Sequence, residues 1–147
     1  MKKFVFTLEK VLNYKKQILD VKKSEMAQLQ TKLKELEEEI RALELRSQEL
    51  SRSLAARLQS GIATSEAADC KTFQTELIRK IQKLLGKKQQ LLELISLKRQ
   101  EIVRMNSEIS GLERLKDKQM DNYRKLSGKE QERSVEEFVV RARCSTG

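Results

Sequence analysis

The side chains that could perform chemistry are few, and they are widely separated in the sequence. Three consecutive acids, Glu37-Glu38-Glu39, could act as a general acid and base only inside walls that remove them from water. There is no histidine, and Cys70 and Cys144 form no CxxC pair that could hold zinc. The five glycines are scattered, so they form no phosphate-binding loop. The sequence therefore predicts no catalytic residue, no metal site, no cofactor and two free thiols.

Basic residues are concentrated in two segments. The chain carries 31 Lys and Arg against 22 Asp and Glu, a formal charge of +9. Residues 1–23 hold seven bases and two acids (+5), and residues 71–104 hold nine bases and three acids (+6). Such an excess favours a nucleic acid, an anionic lipid surface or an acidic protein as the partner. No aromatic platform for bases and no clearly separated polar face accompany it, which favours the acidic protein.

The composition is that of long helices and not of a globular enzyme. The 147 residues include no proline and no tryptophan, 4% are aromatic and 36% are charged. A chain of this length predicts one domain. The start, MKKFVFTLEK, is interrupted by Glu9 and Lys10, so we expect no secretory signal. No run of about 18 uncharged apolar residues predicts a membrane span.

Two heptad arrays supply the elements that must position any functional side chain. Alternate steps of four and three from Leu8 to residue 57 meet Leu, Ile or Met at eleven of fifteen positions, with Lys15, Lys22, Ser47 and Arg57 as exceptions. The same steps from Leu77 to Leu126 meet an apolar residue at eleven of fifteen positions. The exceptions are Lys88, Lys98, Lys116 and Gln119. Arrays of this length are typical of a left-handed coiled coil.

The segment between the arrays predicts a turn. Gly61 suits the left-handed conformation that closes a helix, and Thr64 or Ser65 can cap the next one. We therefore predict an all-α fold, a long antiparallel two-helix coiled-coil hairpin with a short C-terminal helical extension. The expected boundaries within a single domain, 1–147, are a helix over about 3–59, a turn over 60–65, a helix over 66–127 and, after a break at Ser127-Gly128, a helical segment over 130–143. Folding about residue 65 places Leu8 near Tyr123.

Both ends of the chain carry apolar residues that the matched arrays do not use. Val135, Phe138, Val139 and Ala142 share one face of the C-terminal segment, and Phe4, Val5 and Phe6 lie near the other terminus. These residues either pack on the hairpin itself or contact a partner. The sequence leaves both possibilities open, as it does the choice between a monomer and a dimer.

Several short motifs, in this order and spacing, resemble the flagellar type III export protein family FliJ over nearly the whole chain. They are Phe4-x-Phe6-x-Leu8-x-x-Val11-Leu12, the turn Gly61-Ile62-Ala63 followed by Phe73-x-x-x-Leu77, the run Leu112-Glu113-Arg114-Leu115-Lys116-Asp117-Lys118, Tyr123, and Val135-Glu136-Glu137-Phe138. The sequence departs from the family pattern at Cys70, where relatives commonly have Tyr, and at Glu136, where they often have Asp.

The resemblance implies a non-catalytic stalk or adaptor of the flagellar export apparatus. Such proteins resemble the gamma stalk of rotary ATPases and insert into a hexameric ATPase ring, whose assembly and activity they promote. The implied partners are the flagellar export ATPase and its regulator, the large cytoplasmic component of the export gate, and export chaperones, with no nucleic acid. The implied location is cytoplasmic, peripherally associated with the inner membrane at the flagellar base through the export apparatus.

Carried onto this sequence, the resemblance assigns two contact sites. The gate contact falls on Phe73 and Leu77, which share a helical face and lie either at the surface or in the seam. The ATPase-ring contact falls on the open end of the hairpin, and its residues are Lys2, Lys3, Lys10, Lys15, Lys16, Tyr123 and Phe138. The alternatives are a general coiled-coil chaperone or scaffold for exported subunits and a basic nucleic-acid-binding hairpin.

Overall fold

The chain folds as two long α-helices that pack against each other as a helical hairpin. The computed structural model describes residues 3–146, and within them α1 spans Glu9–Ser60 and α2 spans Thr64–Thr146. No strand occurs in this part of the chain. Leu, Glu, Lys, Gln and Arg dominate both helices, and no proline interrupts them. The predicted all-α coiled-coil hairpin is confirmed.

The turn between the helices is shorter than predicted. Gly61 has a φ of +84°, the left-handed conformation that ends a helix, and only Ile62 and Ala63 follow before α2 begins. The backbone N–H of Ala67 donates to the Ala63 carbonyl at 3.2 Å, so Ala63 holds the N-cap position. Thr64 and Ser65, the two predicted caps, therefore both lie inside the helix, and the predicted cap is wrong.

The predicted break at Ser127-Gly128 is wrong. Helix α2 continues through both residues, and the C-terminal segment is its last part. A single glycine costs a helix about 1 kcal/mol relative to alanine, which a helix of 83 residues tolerates. The start of α1 also differs from the prediction. Residues 3–6 are not helical, and the Glu9 N–H donates to the Phe6 carbonyl at 3.1 Å where the helix begins.

The described residues fall into two compact units. The terminal unit contains those within Met1–Asp20 and Val103–Gly147, and the turn unit is Val21–Ile102. Each unit has its own core of buried side chains. They are Phe6, Leu12, Leu19 and Ile109 in the terminal unit, and Ile40, Leu54, Leu77 and Ile95 in the turn unit. All except Phe6 belong to the two heptad arrays, so the apolar stripes form the seam as expected.

Ion pairs between the helices define their register, and the predicted register is wrong by about one heptad. In the terminal unit, Glu9 pairs with Lys116 at 2.8 Å, and the ring of Tyr123 contacts Phe4. Folding about residue 65 would instead have brought Leu8 to Tyr123. The helices turn earlier, at residues 61–63, so each residue of α1 faces an earlier residue of α2.

Candidate functional site

The N-terminal residues pack onto the end of the terminal unit. Phe6 is buried, and the ring of Phe4 lies 5.6 Å from that of Tyr123 between centroids, with the planes tilted by 54°. Aromatic pairs at this separation are favourable beyond the area they bury. Val5 is exposed. Tyr123, a predicted ring contact, therefore holds the non-helical N-terminal segment against α2.

The predicted basic contact residues differ in their surroundings. Lys2 lies outside the described residues, and Lys3 and Lys10 are exposed. Lys15 Nζ lies 2.8 Å from Glu108 Oε2, and its hydrogen bond lowers the pKa of that carboxyl below the ordinary glutamate value. Lys16 Nζ lies 3.2 Å from Glu113 Oε1. Lys15 and Lys16 thus already neutralise acids of α2, whereas Lys3 and Lys10 present their charges at the surface.

The last part of α2 exposes an apolar face. Every residue from 129 to 145 is exposed, and Phe138, with 73% of its surface exposed, is the largest apolar side chain among them. Val135 and Val139 lie on the same helical face and are also exposed. The sequence left open whether this apolar stripe packs on the hairpin or contacts a partner. In the structure it does not pack on the hairpin. Isolated exposed apolar residues are common, but three on one face indicate a contact surface.

The turn unit separates the two predicted gate-contact residues. Leu77 is buried in the seam, whereas Phe73 is 40% exposed. The guanidinium carbon of Arg46 on α1 lies 5.4 Å from the centroid of the Phe73 ring, within cation–π distance. Phe73 is thus the surface residue of the pair, and Leu77 anchors the same turn of α2 from inside.

The side chains with possible chemistry remain dispersed in the fold. Glu37 pairs with Lys88 at 3.7 Å, and Glu38 and Glu39 are exposed to water. Cys70 and Cys144 are free. Within residues 3–146, no three His, Cys, Asp or Glu side chains converge as metal ligands would. Neither helix, over the same residues, contains a stretch apolar enough to cross a bilayer.

Sequence reasoning missed two features of these surfaces. The contact between Arg46 and Phe73 was not predicted, because the two residues lie on different helices and the predicted register was wrong. The seam lysines appeared only as interruptions of the heptads, but each contacts a glutamate across the seam. The presence of glutamates beside the opposite seam was the signal that could have identified them.

The architecture defines the class of protein as a coiled-coil helical hairpin. The family model of the flagellar FliJ protein matches residues 4–144, nearly the whole chain. The chain therefore belongs to the FliJ family, which is a non-catalytic component of the flagellar export apparatus. Comparisons with curated proteins and with solved structures gave no match.

Proposed function

We propose that this protein is a stalk and adaptor that inserts into the flagellar export ATPase ring and promotes ring assembly and hydrolysis. In this proposal it also links the ATPase and its regulator to the large cytoplasmic component of the export gate and to export chaperones. It acts in the cytoplasm, peripherally at the inner membrane of the flagellar base. The observation that carries the proposal is the last part of α2, a helix with an exposed apolar face at residues 135–139.

The ring contact combines that apolar face with basic side chains. Phe138 supplies an exposed aromatic anchor, and aromatic residues dominate binding energy when an interface buries them. Lys3 and Lys10 supply positive charge, and Lys2 precedes Lys3 in the sequence. An acidic ring surface would attract this charge over a distance of roughly one Debye length. Lys15 and Lys16 would have to exchange Glu108 and Glu113 for carboxylates of the ring. Tyr123 contributes by holding Phe4.

The gate contact centres on Phe73. Its half-exposed ring and the neighbouring Arg46 form a small patch made by both helices, with an apolar centre and one positive charge. A partner that covers this patch would offer an apolar pocket with an acidic or polar rim. Leu77 supports the patch from the seam and makes no direct contact in this proposal.

Hydrolysis by the purified export ATPase tests the ring contact. We expect the full chain to stimulate hydrolysis, and Lys3→Glu with Lys10→Glu to raise the half-maximal concentration by about tenfold, since two rim charges are together worth on the order of 1.4 kcal/mol. Added salt should weaken the stimulation by the natural chain.

The matched control is Lys34→Glu with Lys80→Glu, which makes the same change in charge at two exposed positions of the turn unit. It should stimulate hydrolysis as the natural chain does. Stimulation that is insensitive to both the Lys3/Lys10 change and salt would contradict the proposed electrostatic docking. A chain that binds exported subunits without affecting hydrolysis would support the chaperone or scaffold function instead.

A further inference from the structure

Five lysines occupy seam positions of the two heptad arrays, and each contacts a glutamate of the opposite helix. Their side chains are only 21–33% exposed. The pairs are Lys15 with Glu108 at 2.8 Å, Lys22 with Glu101 at 3.0 Å, Lys88 with Glu37 at 3.7 Å, Lys98 with Glu25 at 2.6 Å and Lys116 with Glu9 at 2.8 Å. The glutamate lies beside the seam, not in it, in every pair. The two pairs that include Lys15 and Lys116 belong to the terminal unit, and the other three belong to the turn unit.

In the turn unit, four of these residues form a network. Glu101 accepts from Lys22 at 3.0 Å and also lies 3.3 Å from Lys98, which donates to Glu25. The hydrogen bond from Lys22, followed by that from Lys98, lowers the pKa of Glu101, and the hydrogen bond to Glu25 raises the pKa of Lys98. In the terminal unit, the buried Oε2 atom of Glu9 lies 2.8 Å from the ammonium of Lys116, which neutralises its charge.

The apolar stripes alone do not choose a register. When α2 is shifted by one heptad, apolar seam positions again face apolar seam positions, for example Leu19 with Leu112, Leu29 with Ile102 and Leu54 with Leu77. Because the heptad repeats, burial of these side chains is about as favourable in the shifted register as in the observed one. An antiparallel seam made only of leucine and isoleucine would therefore permit slippage.

The charges distinguish the two registers. After this shift, Lys98 would face Lys32 in place of Glu25, and Lys116 would face Lys16 in place of Glu9. Lys15 would lose its glutamate and face Leu115. Lys15 and Lys116 would also lie opposite each other in the seam. Lys22 and Lys88 would keep an acidic neighbour, Glu108 and Glu44.

The opposite shift is also unfavourable. It would place Lys22 beside Leu94, Lys88 beside Gln30 and Lys98 beside Ile18. Lys116 would also lose Glu9, so four of the five seam lysines would lose their glutamate of the opposite helix. An ammonium that is removed from water without a partner is costly. Of the three registers, the observed one alone gives all five lysines a glutamate.

We propose that the five seam lysines and their glutamates form a register code that fixes how the two helices align. A single half-exposed ion pair contributes little stability. The register depends instead on the difference in free energy between alignments, and all five pairs contribute to that difference together with the lysine–lysine contacts of the shifted register. Polar residues at seam positions are known to specify register at a cost in stability. The code also disfavours a parallel, in-register pairing of two copies, in which symmetry would place each seam lysine opposite itself.

The register determines what the terminal unit presents. A slip of one heptad would move α2 along α1 by about 10 Å. That movement would separate Tyr123 from Phe4 and change how much of α2 extends beyond α1. This inference does not rest on the proposed function, because it concerns only the alignment of the helices.

Disulfide formation can report the register in the full chain. Cys70 and Cys144 are first replaced by serine. Gln74 donates a hydrogen bond to the Ser51 hydroxyl, so Gln74→Cys with Ser51→Cys reports the observed register. Gln74→Cys with Leu58→Cys reports the shifted register, because Leu58 is exposed and lies one heptad after Ser51 on α1. Each pair reports only its own register, since a disulfide cannot join residues whose Cα atoms are more than about 7 Å apart.

The decisive variant reverses two charges. Lys98→Glu with Lys116→Glu opposes like charges in the observed register but creates pairs with Lys32 and Lys16 in the shifted one. We expect the crosslink at Leu58→Cys to appear and the crosslink at Ser51→Cys to decline. Adding Glu25→Lys and Glu9→Lys should restore the observed crosslink. The control, Lys34→Glu with Lys80→Glu, should give the observed crosslink alone.

A second variant keeps the test valid if the charge reversal unfolds the chain. Leucine at all five seam lysines should leave the unfolding temperature unchanged or higher, because well-packed apolar residues often replace ion pairs without loss. Both crosslinks should then form in comparable yield. If either folded variant gives only the observed crosslink, the turn at Gly61 sets the register and the proposal is wrong.

Discussion

At the scale of single residues, the role of a lysine in this chain depends on its position relative to the seam. Lys98 and Lys116 occupy seam positions, where their side chains are only 21% and 31% exposed and their ammonium groups contact Glu25 and Glu9. Lys3 and Lys10 lie at the surface, where their charge is available to a partner. The net charge of +9 does not reveal this division. Charge reversal at Lys3 and Lys10 therefore tests docking without breaking a seam pair, and charge reversal at Lys98 and Lys116 tests the alignment of the helices.

Phe73 allows a test of the gate contact at this scale. We expect Phe73→Ala to weaken binding to the large cytoplasmic component of the export gate by about tenfold or more, as removal of an aromatic anchor from an interface costs roughly 1–2 kcal/mol or above. The unfolding temperature should change little compared with truncation of a seam residue such as Leu77, because Phe73 is 40% exposed and lies outside the heptad array. Titration of the purified gate component with each variant measures the effect.

Leu94→Ala is the matched control, since Leu94 is exposed on the same helix but lies about six turns away from Phe73. It should bind the gate component as the natural chain does. Arg46→Gln should give an intermediate loss because it removes the cation above the ring and leaves the ring in place. Natural affinity in the Phe73→Ala variant would exclude this residue from the contact.

At the scale of the elements, the backbone conformation of each glycine explains why α1 ends at one glycine while α2 continues through three others. Gly61 adopts a φ of +84° and ends α1, whereas Gly86, Gly111 and Gly128 are helical residues of α2. The interior glycines lie where a methyl group would meet no atom within 4 Å. Composition alone therefore cannot tell a helix stop from a tolerated glycine, and this ambiguity produced the false break at Ser127-Gly128.

Alanine substitutions should separate the two cases. We expect Gly61→Ala to destabilise the hairpin by about 1–2 kcal/mol, because an L-residue is strained in the left-handed region. Gly86→Ala should stabilise it by up to about 1 kcal/mol, because alanine is the better helix former and the site has room. Urea unfolding followed by circular dichroism at 222 nm measures both. Equal effects of the same sign would contradict this assignment.

At the scale of the whole molecule, the periodic features were predictable from sequence and the pairwise ones were not. The heptads from Leu8 and Leu77 predicted both helices and most of the core, because burial of an apolar stripe requires only its spacing. The register was not predictable in the same way, since a repeating stripe fits itself at several shifts. The contact of Arg46 with Phe73 depends on the register, so it was missed as well. The exposure of Phe138 depends on where α1 begins, which the heptads alone do not fix.

We propose that the protein acts on the export ATPase through the exposed apolar face at the end of α2. The most direct measurement is ATPase hydrolysis at increasing concentrations of the full chain that carries Val135→Gln, Phe138→Gln and Val139→Gln. Glutamine preserves helix propensity, and all three positions are already exposed, so the fold should be retained. The control places the same residue at Leu45, Leu58 and Leu94, which are exposed elsewhere. We expect the control to stimulate hydrolysis fully and the C-terminal variant to fail to do so. Full stimulation by the C-terminal variant would contradict the proposed contact.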